Sequence, residues 1–193
     1  MRLLLFFLLT IQCSAGSDSF DSPNGHYNLT IFYGVNGSPG DETPNTMVLL
    51  SDGSALGRFP TDGYVIDVKW GENFVAINNR ISNSGDYLWV IDLRDGMVVK
   101  QPIEIAKQFQ VDTWNLIAAK LSKQISKFAP EFSGTPVSRF TLTAREWLGP
   151  DSLVTETLVT FWQTESRAIL EEVWVINGGK MSVTSSLVRV IDP

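Results

Sequence analysis

The chain has 193 residues, 44% hydrophobic and 19% charged. That is enough for one well-buried domain, and the composition is neither disordered nor fibrous. Acidic residues outnumber basic ones, 21 to 15, which argues against a nucleic-acid partner, whose phosphates require a basic surface.

The N-terminus reads as a targeting segment rather than fold. Met1-Arg2 supplies a positive start, and 3–11 is apolar apart from Thr10. Residues 12–16 then turn polar and small, the layout of a secretory signal peptide. Cys13 and Ala15 fit the small-residue positions before a cut, so cleavage is placed between Ala15 and Gly16. The rival reading makes Cys13 a lipidated anchor, with the Ser/Gly/Asp-rich stretch after it as a tether. Against it stand Gln12 and Thr10, where a lipobox carries a small residue and Leu. The expected location is periplasmic or secreted, with a membrane-anchored lipoprotein as the alternative. Cleavage removes the single cysteine, so disulfides, thiolate nucleophiles and thiolate metal sites are excluded. No cofactor is expected, and no other apolar segment is long enough to span a bilayer as a helix.

Residues 16–21 are polar and read as a flexible linker. The remainder, 22–193, reads as a single mainly β domain of antiparallel sheets, in a propeller-blade-like or sandwich arrangement, with a helical insertion over 103–129. Ser22-Pro23-Asn24-Gly25 is a turn signal, and 26–33 follows as a strand. Residues 36–45 hold two Pro and two Gly, a loop. Strands over 46–50 and 55–59 flank the hairpin turn Ser51-Asp52-Gly53-Ser54. Strands follow at 64–70 and 74–78, with Gly71-Glu72-Asn73 between them. Then come a polar loop at 79–86, a strand at 87–91, a turn at Arg94-Asp95-Gly96 and a strand at 97–100.

The pattern changes at Pro102. Trp114, Ile117, Ala118, Leu121, Ile125 and Phe128 recur at spacings of three and four and define one face of a helix over about 112–128. Asp112 is its N-cap and Pro130 its stop. Lys120, Lys123 and Lys127 share its other face, read as a solvated surface rather than a basic docking patch. Strands resume at 139–147, 153–162, 169–176 and 181–190.

Two regions echo each other. Val68-Lys69-Trp70-Gly71-Glu72-Asn73-Phe74-Val75 precedes Leu88-Trp89-Val90-Ile91-Asp92. Arg145-Glu146-Trp147-Leu148-Gly149-Pro150-Asp151-Ser152-Leu153-Val154 precedes Val173-Trp174-Val175-Ile176-Asn177. A third copy starts at Ser22-Pro23-Asn24-Gly25 and ends in Met47-Val48-Leu49-Leu50-Ser51-Asp52-Gly53. With its Ser-Pro-Asn-Gly and Gly-Pro-Asp-Ser turns and its Asp-Gly hairpins, this resembles the blade repeat of TolB-like β-propellers. The resemblance implies four-stranded blades used to hold partner proteins. It covers three units, whereas a closed propeller takes about four or more. Three arrangements therefore stay open: a compact β structure that includes the helix, completion by oligomerisation, or a plain antiparallel sandwich.

Reactive groups are few. His26 is the single histidine and reads as an exposed strand-start residue. No nucleophile-elbow, zinc-helix, dinucleotide or phosphate-loop motif occurs. Glu146, Glu156, Glu165, Glu171 and Glu172 are the carboxylates a glycosidase could draw on, though Glu156 falls on the polar phase of its strand. Asp41-Glu42 and Glu171-Glu172 lack calcium-loop spacing. Trp70, Trp89, Trp147 and Trp174 fall at repeat-equivalent places and read as packing between sheets, whereas Trp162 could serve as a binding platform. Asn28 and Asn36 head glycosylation sequons that matter only in a eukaryote.

The expected function is a non-enzymatic binding or interaction module of the cell envelope, with a periplasmic inhibitor or immunity-type protein as one form. Its partner would be another envelope or secreted protein. The alternatives are a carboxylate-dependent hydrolase of envelope polysaccharide and a structural subunit of an envelope complex.

Overall fold

The computed structural model describes residues 16–33, 45–61, 63–82, 85–100, 137–161 and 167–191. Regular structure there is β-strand, arranged as three four-stranded antiparallel sheets in chain order. The first comprises β1 (Ser17–Asp21), β2 (Tyr27–Phe32), β3 (Asn45–Ser51) and β4 (Ser54–Thr61). The second comprises β5 (Tyr64–Trp70), β6 (Phe74–Ser82), β7 (Gly85–Asp92) and the short β8 (Val98–Lys100). The third comprises β9 (Val137–Trp147), β10 (Ser152–Phe161), β11 (Arg167–Asn177) and β12 (Lys180–Ile191).

The second sheet is the central layer. Side chains alternate across a strand, and on β6 both sets are buried. Val75 and Ile77 join Leu29, Ile31, Met47, Leu49 and Phe59 of the first sheet. Phe74 and Ala76 join Leu142, Leu153, Trp174 and Ile176 of the third. On β7, Trp89 and Ile91 point one way and Leu88 and Val90 the other. A sheet buried on both faces reads as a near-continuous apolar run, which is why β6 and β7 stand out in the sequence. Each fully buried aliphatic side chain contributes about 1.5–3 kcal/mol over its exposed state.

β9 crosses the central sheet obliquely. Its start makes a short parallel bridge to β7, pairing Phe140 with Gly85 and Thr141 with Asp86. Its middle is tied to Asn78 of β6, and its last residue, Trp147, reaches Lys69 of β5.

The sequence echo is a structural repeat. The amide that follows each first strand donates to the carbonyl of the first residue of the second strand: Ser22 to Tyr27, Gly71 to Phe74, and Leu148 to Ser152. A second bond recurs in the same way, from Asp52 to His26, from Leu93 to Asn73, and from Ile176 to Asp151. These bonds make Asp21, Trp70 and Trp147 equivalent, and likewise Tyr27, Phe74 and Ser152. Trp70 stacks on Tyr27 of the preceding sheet with centroids 6.3 Å apart. Trp147 stacks on Phe74 with centroids 5.9 Å apart. The same joint is thus used at both interfaces. The Trp-Val-Ile echo is offset, however. Val75 pairs with Ile91 whereas Leu153 pairs with Trp174, so Trp174 occupies the place of Ile91, and Trp89 that of Glu172. The offset is two residues, one full alternation, so both indoles still face the preceding sheet.

Two expectations are corrected. Residues 16–21 are not a linker, since Ser17–Asp21 forms β1 and pairs with β2 along its length. Phe20 packs against the core beneath the first sheet, and the Tyr33 hydroxyl donates to Asp18, so one ring and one phenol hold a stretch that is otherwise polar. The loop expected at 79–86 is mostly ladder, with Asn79 opposite Tyr87, Arg80 opposite Asp86 and Ser82 opposite Gly85. Backbone pairing tolerates these polar residues, and the buried one, Asn79, donates to the Thr61 hydroxyl. The helix over 112–128 and the insertion 103–129 lie outside the described residues, as do residues 1–15 with Cys13 and Ala15, and Trp162.

Candidate functional site

A surface groove of about 440 Å³ runs between β5 and β9 and is lined by Ile66, Asp67, Lys69, Asn78, Thr143, Ala144, Arg145 and Glu146. Both walls carry a β-bulge. On β5, Val65 pairs with Asn79 and Asp67 with Asn78, leaving Ile66 as the extra residue. On β9, Glu146 pairs with Val154 and Ala144 with Thr155, leaving Arg145 as the extra residue. A bulge re-aims its side chain and is over-represented beside functional sites. Here two of them deliver a 46% exposed isoleucine and an arginine to one groove.

The floor is an amide clasp. The Asn78 side chain donates to the Ala144 carbonyl at 3.0 Å and accepts from the Ala144 amide at 2.7 Å. Its carboxamide stands in for a strand partner along this part of β9 and leaves neither backbone group of Ala144 unmet. At the end of β9 the Trp147 indole donates to the Lys69 carbonyl at 2.9 Å. It lies over Gly71, where a Cβ would come within 3.0 Å of the ring. The wall cations are paired: Lys69 meets Asp67 at 2.6 Å, and Arg145 meets Glu156 at 3.7 Å. The groove therefore offers polar contacts and one apolar knob, with its cations already paired.

The sequence candidates fall elsewhere or apart. His26 is exposed, its Nδ1 3.0 Å from Asp52 Oδ1, so it joins the two turns at one end of the first sheet. Glu156 and Glu171 are brought side by side across β10 and β11, each held by its own arginine, Arg145 and Arg189. Glu171 and Glu172 are neighbours on one strand and so point to opposite faces. Glu172 is buried, opposite Thr155, whose hydroxyl also accepts from the Trp174 indole at 3.0 Å. Glu146 lines the groove, while Glu165, Asp41 and Glu42 lie outside the described residues. Asn28 is a structural residue here, as its amide donates to Ser19 and Asp21.

At the end of the second sheet, Arg94 forks onto Asp92 and lies over the Phe74 ring, 5.4 Å from its centroid. The Arg94 hydrogen bonds hold the Asp92 carboxyl below the usual carboxylate range, against the opposing effect of its burial. No group of three or more His, Cys, Asp or Glu side chains able to hold a metal occurs among the described residues. No described helix is long and apolar enough to cross a membrane.

Ile66, Asn78 and Arg145 were not singled out from the sequence. The available signal was Asn78-Asn79 at the end of an apolar run, where two amides on a strand must find partners if buried. Nothing in the sequence marks Ile66 or Arg145 as bulged.

No family model and no curated protein matches the chain. Among solved structures, a chain described as Kluyveromyces lactis Hsv2 complete loop 6CD aligns with 88% of this chain and 46% of its own length. The identity is 9% and the TM-score 0.33, and this chain spans about half the length of that structure.

Proposed function

We propose that this chain is an exported interaction module of the cell envelope that holds a partner protein against the groove between β5 and β9. The observation that carries this reading is the convergence of the two bulges, which present Ile66 and Arg145 to one opening. The paired wall cations support it as well, because a partner can cover ion-paired cations and a satisfied clasp at a lower desolvation cost than lone cations. The signal-like N-terminus and the acidic balance are compatible with export. The three successive four-stranded units, with the turns that resemble TolB-like blades, suit a scaffold that works by surface contact rather than by chemistry.

The test is site-specific photo-crosslinking in the native cells. A photoreactive residue at position 66 should give a discrete adduct whose mass differs from twice that of the chain. One at Phe32, which is also exposed but belongs to the first sheet, should give none. Arg145→Glu should abolish the adduct from position 66. Equal labelling from both positions, or no adduct at 66, overturns the reading.

A further inference from the structure

We propose that Asn177 is a modification site of the folded chain, where the side-chain amide converts spontaneously to aspartate and isoaspartate, while the same dipeptide at Asn24 is protected. Asparagine is a thermolabile residue, and its conversion has three requirements. The backbone nitrogen of the next residue must be free to attack, that residue must not crowd the approach, and the carboxamide must be free to turn. Glycine meets the second requirement because it has no Cβ. The described residues hold two Asn-Gly pairs, Asn24-Gly25 and Asn177-Gly178, both at turns. A third, Asn36-Gly37, lies outside the described residues.

The two turns treat the same dipeptide differently. At the first, Asn24 Oδ1 accepts from the Ser22 hydroxyl at 2.7 Å and from the His26 amide at 3.1 Å. The Gly25 amide, the nitrogen that would attack, donates to the Ser22 carbonyl at 2.9 Å. Both reacting groups are therefore held. At the second, Asn177 ends β11 opposite Lys180, and Gly178 and Gly179 have φ of 57° and 74°, the left-handed pair of a two-residue hairpin. Asn177, Gly178 and Gly179 are exposed, and a Cβ at either glycine would meet nothing within 4 Å. Among the described residues, neither the Asn177 carboxamide nor the Gly178 amide has a hydrogen-bond partner.

The reaction is a ring closure followed by hydrolysis. Hydroxide takes the Gly178 amide proton, the nitrogen bonds to Asn177 Cγ, and the side-chain nitrogen leaves as ammonia with a proton from water. Water then opens the five-membered succinimide. Cleavage at Cγ gives aspartate, and cleavage at the main-chain carbonyl gives isoaspartate, whose backbone runs through Cγ. Either product adds a negative charge at the hairpin tip. Aspartate keeps the hairpin, since Asp-Gly suits the same turn. Isoaspartate lengthens the main chain by a methylene and loosens the end of the β11–β12 pairing.

The test is peptide mapping by mass spectrometry, with isoaspartate detection, of the purified chain aged in warm, mildly alkaline buffer. Three hydrogen bonds hold the reacting groups at Asn24. Each costs a factor of a few to break, so Asn177 should convert at least about tenfold faster in the folded chain. In urea the two rates should come together, because only the fold separates two identical dipeptides. Ser22→Ala, folded by circular dichroism, should speed conversion at Asn24 and leave Asn177 unchanged. Equal rates in the folded chain, a faster Asn24, a ratio that persists in urea, or no gain at Asn24 in folded Ser22→Ala would overturn the proposal.

Discussion

Asn78 and Asn79 are neighbours on one strand and hold opposite layers of the molecule. The first clasps the Ala144 backbone of the third sheet, and the second bonds the Thr61 hydroxyl of the first. Period-two alternation sends consecutive side chains to opposite faces, so a pair of identical amides in the central sheet ties it to both flanking sheets at one level.

Replacing Asn78 with alanine strands a buried amide and a buried carbonyl of Ala144. An unsatisfied buried group costs about 1–3 kcal/mol, so Asn78→Ala should destabilise by about 2–4 kcal/mol in urea unfolding. Asn78→Asp keeps the acceptor but places a carboxylate against the Ala144 carbonyl. It should be worse than alanine at neutral pH and improve as the pH falls toward 4. A cost for Asn78→Ala within experimental error would mean that the clasp does not hold the sheets together.

Trp147 acts through its ring and through its N–H, and two substitutions separate these. Trp147→Phe keeps the stack on Phe74 but loses the bond to Lys69, at about 1 kcal/mol. Trp147→Ala loses both, at about 3 kcal/mol or more. A double-mutant cycle with Phe74→Ala should show a coupling of about 0.5–1.5 kcal/mol, and additivity would refute the joint.

Asp92 makes stability depend on acid. Its folded pKa lies below the unfolded value of about 3.9, so the Arg94 contact contributes fully above that pH and is lost as the pH falls through the folded value. The acid limb of the stability profile below about pH 4 should therefore be shallower in Asp92→Asn than in wild type. Identical slopes would assign the acid sensitivity to other carboxylates.

The strands were largely legible because burial of one or both faces imposes an alternation or an apolar run that a single sequence displays. The 64–70 strand is found with the expected bounds, and the hairpin around Asp52-Gly53 follows from its turn chemistry. β1 was illegible because its place is set by Phe20 and by the contact between Tyr33 and Asp18, and a ladder edge needs little apolar content. The 79–86 stretch misled because polarity resembles a loop when the partners of its side chains lie far away in sequence. The reading of Trp70, Trp89, Trp147 and Trp174 as packing between sheets holds. Their exact equivalence was not legible, since only the hydrogen bonds reveal a two-residue offset.

The groove was the least legible part. A bulge is a mismatch between two strands, and no property of Ile66 or Arg145 alone expresses it. Of the residues weighed from sequence chemistry, His26 joins two turns, Glu156 and Glu171 are ion-paired and Glu172 is interior, while Glu146 lines the groove.

The two stacked indole joints also determine how the molecule can be lengthened. Sheet two alone carries both halves of the joint, Trp70 on one side and Phe74 on the other. Duplicating that segment between its neighbours should therefore yield a longer stack with each new seam already matched. A segment grafted beyond Ser152 or ahead of Asp21 would have to bring its own aromatic counterpart, so this architecture can be extended from the middle and not from its ends.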